Sequence, residues 1–281
     1  MRTKHRIESV LYHVLICGFG FIMIYPVLWM ISGAFKNNTE ILNGGLSLIP
    51  EVWRWENFVK RLVRFRRHFR SGHSSKNSLI VAGVSTFGTV ISSACVAYAF
   101  SRIKFKGSKI WFTAMLCTMM LPAQIILVPQ YIIYNKLGWV GTYLPLILPH
   151  FFGQAFFIYQ MMQFIKGIPR ELDEAATIDG CSRYSIFTRI ILPLLKPSIV
   201  TTIIIQFYWK WDDFMGPMIY LNKPEMYTAS LAIKQFADSS STTDYGAMFA
   251  MSALSLIPVF LIFLFFNKYL VEGISSSGLK G

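Results

Sequence analysis

Residues 166–197 read KGIPRELDEAATIDGCSRYSIFTRIILPLLKP, a polar stretch set between two long apolar runs. Pro169 suits a first helical position, and Glu171, Asp173 and Glu174 fall in the turns that follow, where carboxylates complement the positive end of a helix dipole. Gly180 permits the left-handed turn that ends this helix. Ser182 is placed to cap a second helix, and Pro193 is expected to stop that one after Leu192. The reading is two short helices joined at a glycine. Ala175 and Ala176 leave room for another backbone to approach, so the element suits docking in a groove on a soluble partner and passing a push to the flanking segments.

Those segments decide the fold class. The chain has 281 residues, 54% hydrophobic and 15% charged, whereas soluble domains carry about 25% charge. Too few charges are present to cover a water-soluble globule, so lipid is the expected solvent for much of the surface. Spanning a bilayer takes about 20 apolar residues, and six runs qualify: 11–35, 78–100, 110–134, 143–165, 198–220 and 247–270. Period-2 alternation is absent, which excludes a barrel. The expectation is an all-α polytopic membrane protein with six transmembrane helices. The first run is too long for a signal-peptide core and lacks a small-residue cleavage site, so it is kept in the mature chain. Cys17, Cys95 and Cys117 fall in apolar runs and Cys181 in a polar one; they form no CxxC or disulfide framework and are expected to be small buried hydrophobes.

Net charge is +13, and in a membrane protein that excess reports orientation rather than nucleic-acid binding. With the N-terminus (1–10) inside, the cytoplasmic segments hold Arg2, Lys4, Arg6, Arg102, Lys104, Lys106, Lys109, Lys166, Arg170, Arg183, Arg189, Lys196, Lys268 and Lys280. The outer segments after the third and fifth spans hold only Lys136, Lys223 and Lys234. The first outer loop, 36–77, departs from this rule with Lys36, Arg54, Lys60, Arg61, Arg64, Arg66, Arg67, Arg70 and Lys76. Phe58, Leu62, Phe65 and Phe69 recur there at helical spacing after Trp53 and Trp55, as in a helix lying in the headgroup plane. Two readings stand: an interfacial anchor, or a cationic surface that attracts an acidic substrate or the acidic face of a binding protein.

Pro26, Pro122, Pro129, Pro145, Pro149, Pro217 and Pro258 lie in or at the ends of spans, where freed carbonyls need neighbouring helices or water. This belongs to packed bundles with cavities. In the fifth span, Lys210, Trp211, Asp212 and Asp213 place charges at membrane depth, a substrate-pathway signal. Lys210 and Asp213 are also three apart and able to neutralise each other on one helix face.

The spaced signature Glu174-Ala175-Ala176, Gly180, Ile190, Leu192-Pro193 resembles the EAA loop of ABC-importer permeases. Further stretches extend the likeness over almost the whole chain: Tyr25-Pro26 through Ser32, Asn77-Ser78-Leu79, Ala97 through Arg102, Trp211 through Phe214 with Pro217, and Val271-Glu272-Gly273 through Gly281. All resemble carbohydrate permeases of the maltose type, nearest the MalG-like partner of the pair. The resemblance implies a type I importer (MetI-like) fold in the bacterial cytoplasmic membrane, with both termini cytoplasmic. It implies a 11–270 permease domain, the coupling loop 166–197, an outer loop 221–246 that meets the binding protein, and a cytoplasmic tail 271–281 that reaches between the ATPases. It also implies the partners: a second permease subunit, two ATP-binding subunits that hold ATP and Mg, and an extracytoplasmic solute-binding protein. Glu174, Ala175, Ala176, Asp179 and Gly180 take the coupling role. Lys210 stands where many relatives have a small or polar residue, and the first outer loop is more basic than theirs.

No GxxxxGK[ST] occurs, so ATP hydrolysis belongs to another chain and no cofactor is expected here. Asp212 and Asp213 do not form a catalytic pair, since adjacent helical residues point about 100° apart and no His or Cys accompanies them at ligand spacing. A secondary transporter predicts an internal repeat and ion-coupling acids in several spans, and neither occurs. The expected cargo is an oligosaccharide, acidic if Lys210 and the loop 36–77 both face the path; a neutral sugar, glycerol phosphate or peptide importer is the alternative.

Overall fold

The computed structural model describes residues 2–58, 74–237 and 245–278, the side chains of 2–8, 234–237 and 267–278 excepted. Among the described residues every regular element is helical: α1 (Arg2–Gly33), α2 (Asn38–Asn43), α3 (Ser74–Arg102), α4 (Ser108–Met119), α5 (Ala123–Lys136), α6 (Leu144–Ile147), α7 (Ala155–Lys166), α8 (Glu171–Ile178), α9 (Arg183–Ile186), α10 (Leu192–Leu194), α11 (Lys196–Asp212), α12 (Met215–Tyr220), α13 (Ala229–Ala237) and α14 (Tyr245–Gly278). A 3-10 segment, Leu148–Phe152, follows α6, and a π turn, Phe187–Ile191, joins α9 to α10.

Ser9–Gly33, Ser74–Arg102 and Tyr245–Phe266 are each long and apolar enough to cross a membrane, and two bent pairs bring the number to five. One pair is α4 with α5, which meet at 102°; the expected third span is therefore two helices with a corner. Pro122, in extended backbone, caps α5, and a proline disfavours helical backbone in the residue before it. The other pair runs from Arg183 through α11 with a 71° bend.

The expected fourth span, 143–165, is not one helix. Pro145 and Pro149 remove amide donors and Gly153 sits at φ +82°, so α6, the 3-10 segment and α7 replace it. Irregular backbone at membrane depth persists only where protein or water satisfies its polar groups. Here α3 supplies the partners: Ser85 Oγ donates to the Leu146 carbonyl at 3.3 Å, Ser92 Oγ to the His150 carbonyl at 3.2 Å, and Ser93 Oγ accepts from the Gln154 amide at 3.5 Å.

The chain divides into two compact units. In the unit formed by 73–231 and 258–281, α3 is the central helix, packed against α11, α7 and the broken segment. Its buried positions are small, including Ala82, Ser85, Gly88, Thr89, Ser93, Ala94 and Ala97, which lets neighbouring backbones close in where lipid gives no hydrophobic drive between helices. At Gly88 a Cβ would stand 2.6 Å from the Phe151 ring. One core joins Ala94, Ala97 and Tyr98 of α3 to Ile158, Met161 and Ile165 of α7, Ala176 of α8, and Ile186, Ile191 and Leu195 beyond it.

In the unit formed by 1–72 and 232–257, Trp29 of α1 meets the Phe249 ring of α14 edge-on at 5.3 Å. The Asn57 amide donates to the carbonyls of Ala34 and Lys36, both at 2.9 Å, and fixes the turn that leaves α1. Phe35 gathers Trp53, Trp55 and Phe58 at ring distances of 5.2, 4.9 and 5.0 Å. The remaining stretch of the expected headgroup-plane helix, with Leu62, Phe65 and Phe69, lies outside the described residues. The expectation of buried cysteines fails for three of the four: Cys17, Cys95 and Cys117 are exposed and Cys181 is half-buried, all as free thiols. In an apolar run an exposed face meets lipid, which a thiol tolerates as well as a core does.

Candidate coupling and pathway sites

The 166–197 element folds much as its local signals direct. Arg170 opens α8 by accepting from the amides of Asp173 and Glu174. Gly180 ends it at φ +79°, with nothing within 4 Å of where a Cβ would lie. Ser182 then caps α9 by accepting from the Ser185 amide at 3.2 Å. Pro193 does not stop the second helix after Leu192. The five residues Phe187–Ile191 widen into a π turn closed by the Leu192 amide donating to the Phe187 carbonyl, and the chain stays helical to Leu194 before the 71° corner at the buried Leu195.

Glu174, Ala175, Asp179 and Gly180 are exposed, whereas Ala176 is buried in this unit's own core. The expectation that both alanines admit a foreign backbone therefore narrows to Ala175. Two residues that sequence reasoning missed complete the exposed face: Ile178, 86% exposed, and Tyr184, 77% exposed, on either side of the Gly180 turn. Both side chains lie beside the exposed carboxylates of Glu174 and Asp179.

The anchor of this element was also missed. Arg102, the last residue of α3, pairs with Asp173 at 2.8 Å, with side chains 6% and 20% exposed. The same guanidinium donates to the Ile168 carbonyl at 2.7 Å, and Tyr98 Oη donates to the Arg183 carbonyl at 3.1 Å. The end of one long helix thus holds both short helices. The sequence placed Arg102 among orienting charges and Asp173 among helix-start acids; nothing local joined them.

At the other candidate site, Lys210 Nζ lies 3.2 Å from Asp213 Oδ2, and each side chain is about one-fifth exposed. The internal neutralisation open in the sequence is the arrangement adopted. Asp213 leaves the helix in extended backbone, accepts the Gly216 amide on Oδ1 at 3.0 Å, and receives Ser230 Oγ on its carbonyl at 2.7 Å. Trp211 is buried and stacks on Phe207 at 5.7 Å, and Asp212 is exposed. The four residues are thus a helix end with its own counter-ion rather than one convergent site. A neighbouring polar cluster escaped the sequence reading: His150 Nδ1 lies 2.8 Å from Gln154 Nε2 and 3.2 Å from Gln206 Nε2, with His150 and Gln206 buried.

Of the basic loop 36–77, Lys36 is 2% exposed and donates to the Ser47 carbonyl, so it adds nothing to a cationic surface. Arg54 is exposed; residues 59–73, with most of the arginines, lie outside the described residues. The segment after α12 is tied to the start of α3. Asn77 Nδ2 donates to the carbonyls of Glu225 and Tyr227 at 2.8 and 3.1 Å, and Ser78 Oγ accepts the Ala229 amide at 2.8 Å. The tail end at Lys280 and Gly281 lies outside the described residues. Among the described residues no group of three His, Cys, Asp or Glu side chains is placed to hold a metal ion.

Residues 86–276 match the family described as binding-protein-dependent transport system inner membrane component. A probable ABC transporter permease protein, YurM, of Bacillus subtilis is 38% identical over 260 residues, 92% of this chain and 84% of that one. The trehalose/maltose transport system permease protein MalG of Thermococcus litoralis is 33% identical over 261 residues, 92% of each. Among solved structures, a bacterial ABC transporter involved in the import of the acidic polysaccharide alginate superposes with a TM-score of 0.81 at 20% identity, covering 94% of this chain and 96% of that chain. That likeness shows the fold.

Proposed function

This chain belongs to the inner membrane components of binding-protein-dependent transport systems, and from that premise we propose that it forms one half of the membrane pathway of an ATP-driven oligosaccharide importer. It supplies geometry, not bond chemistry. Its partners are a second permease subunit, two ATP-binding subunits on the side of both termini, and a solute-binding protein on the other face. The loop 221–246 meets that binding protein, and the tail 271–281 reaches toward the ATPases.

The observation that carries the reading is the exposed face of α8 and α9, rigidly hung from α3. Ile178 and Tyr184 flank the Gly180 turn, Glu174 and Asp179 border it, and the Arg102–Asp173 pair fastens it to the long helix. ATP binding closes the ATPases and carries this element with them. The push passes through α3, and the spans reopen toward the binding protein; hydrolysis resets the inward-facing state. A relative named for trehalose and maltose transport supports a carbohydrate cargo. Lys210 already has its counter-ion, so an acidic cargo now rests on the basic loop alone.

Co-purification of the ATP-binding subunit with Glu174→Lys, Ile178→Asp and Tyr184→Asp tests the coupling role. The expected result is loss of the ATPase from a complex that still inserts and still holds the second permease subunit. Undiminished assembly and uptake in all three variants overturn it.

A further inference from the structure

An open apolar groove with a volume of about 590 Å³ lies between α3, α4 and α7, and none of its lining residues belongs to the coupling or pathway sets described above. Its walls include Cys95, Phe100, Phe105, Trp111, Met115 and Ile158, and no charged residue lines it. Such a lining rejects a sugar, whose hydroxyls would be left unpaired, and accepts a hydrocarbon chain. The volume lies within the range of ligand-sized cavities.

The rim has a different character. Between α3 and α4 the chain reads Ile103-Lys104-Phe105-Lys106-Gly107-Ser108-Lys109. Gly107 turns at φ +81°, and a Cβ there would lie 3.7 Å from the Trp111 ring. Phe105 packs on Phe100 at 5.6 Å, which holds the turn on the groove wall. Lys104 and Lys106 flank this wall residue, Lys109 lies half a turn before Trp111, and all three lysines are exposed. No Asp or Glu occurs between residues 99 and 122, and Arg102 is committed to Asp173. Trp111, 66% exposed, is the residue type that settles at headgroup level.

We propose that this groove and its lysine rim form a binding site for an anionic phospholipid, one acyl chain lying in the groove and the headgroup phosphate held by Lys104, Lys106 and Lys109. The readout of this site requires no transport. A lysine meeting an anionic headgroup is worth roughly a five-fold preference over a neutral lipid.

The test uses the assembled importer in phosphatidylcholine vesicles with rising fractions of brominated phosphatidylglycerol or brominated phosphatidylcholine. Bromine quenches tryptophan on contact, and subtracting Trp111→Phe isolates the Trp111 signal. The Trp111 signal is expected to reach half-quenching at a mole fraction of the brominated phosphatidylglycerol lower by a factor of at least about five, the preference that a single lysine supplies. In the triple variant Lys104→Gln, Lys106→Gln, Lys109→Gln that preference disappears while quenching by phosphatidylcholine is retained. Equal curves for the two lipids overturn the proposal, as does a preference that survives the triple variant. Absence of Trp111 quenching by either lipid also overturns it, the outcome given by a helix of the second permease subunit filling the groove.

Discussion

Arg102 Nε stands 2.8 Å from Asp173 Oδ2, so the last residue of α3 grips the first turn of α8. The pair is mostly desolvated, and the Asp173 helix is otherwise attached through Arg170, whose guanidinium donates to the Ser101 carbonyl at 3.5 Å, and through apolar packing around Ala176. Cutting one partner of such a pair costs about 3 kcal/mol because it strands the other charge. For Arg102→Ala and Asp173→Asn, uptake per ATP hydrolysed is expected to fall by about ten-fold, that loss being more than enough to free α8 from α3. The ATPase still binds, since the exposed face of α8 is unchanged. The reversal Arg102→Asp with Asp173→Arg recovers part of the coupling; failure to recover any, with normal insertion, argues against the pair as the transmitting contact.

Gly180 gives a cleaner backbone test. Nothing lies within 4 Å of its missing Cβ, so a side chain there meets only the strain of φ +79°. That strain is about 1–2 kcal/mol for an ordinary L-residue and less for Asn. ATPase co-purification is expected to rank wild type and Gly180→Asn above Gly180→Ala, and Gly180→Val last. A Val variant that docks as well as wild type refutes the left-handed turn as a requirement.

Lys210 and Asp213 are predicted to act as a unit. Lys210→Ala strands a part-buried carboxylate, so uptake falls by the same factor for neutral and uronate oligosaccharides. The double variant Lys210→Ala with Asp213→Ala recovers part of both. A loss confined to the uronate sugar is the result that restores Lys210 as an anion receptor.

Ser78 is 1% exposed and accepts the Ala229 amide at 2.8 Å. Ser78→Ala leaves that amide buried without an acceptor, at about 1–3 kcal/mol. The segment between α12 and α13 is expected to be cut faster by added protease. An unchanged cleavage rate counts against Ser78 as its anchor.

Local signals carried the shape of residues 166–197 almost entirely. Acids in the first turn, a glycine at the left-handed position and a serine cap each act within a few residues, and Gly180 and Ser182 sit as their types demand. Pro193 was misread because a proline removes a donor without saying how the helix responds, and here the chain passes through a π turn and stays helical to Leu194. The break in 143–165 was missed, although Pro145 and Pro149 lie within it. That the span tolerates it depends on Ser85, Ser92 and Ser93, which lie on another helix.

By itself the sequence determined the solvent, the helical class and the two-helix form of residues 166–197, because apolar composition, periodicity and capping are short-range properties of the chain. The tertiary structure alone decided which polar groups met. It joined Arg102 to Asp173, chose the internal pairing of Lys210 over a free cation, buried Ala176 in its own core and left Ile178 and Tyr184 outside it. In a low-dielectric bundle an unpaired polar group is costly, so packing favours pairing, and the partner is set by where helices cross rather than by distance along the chain.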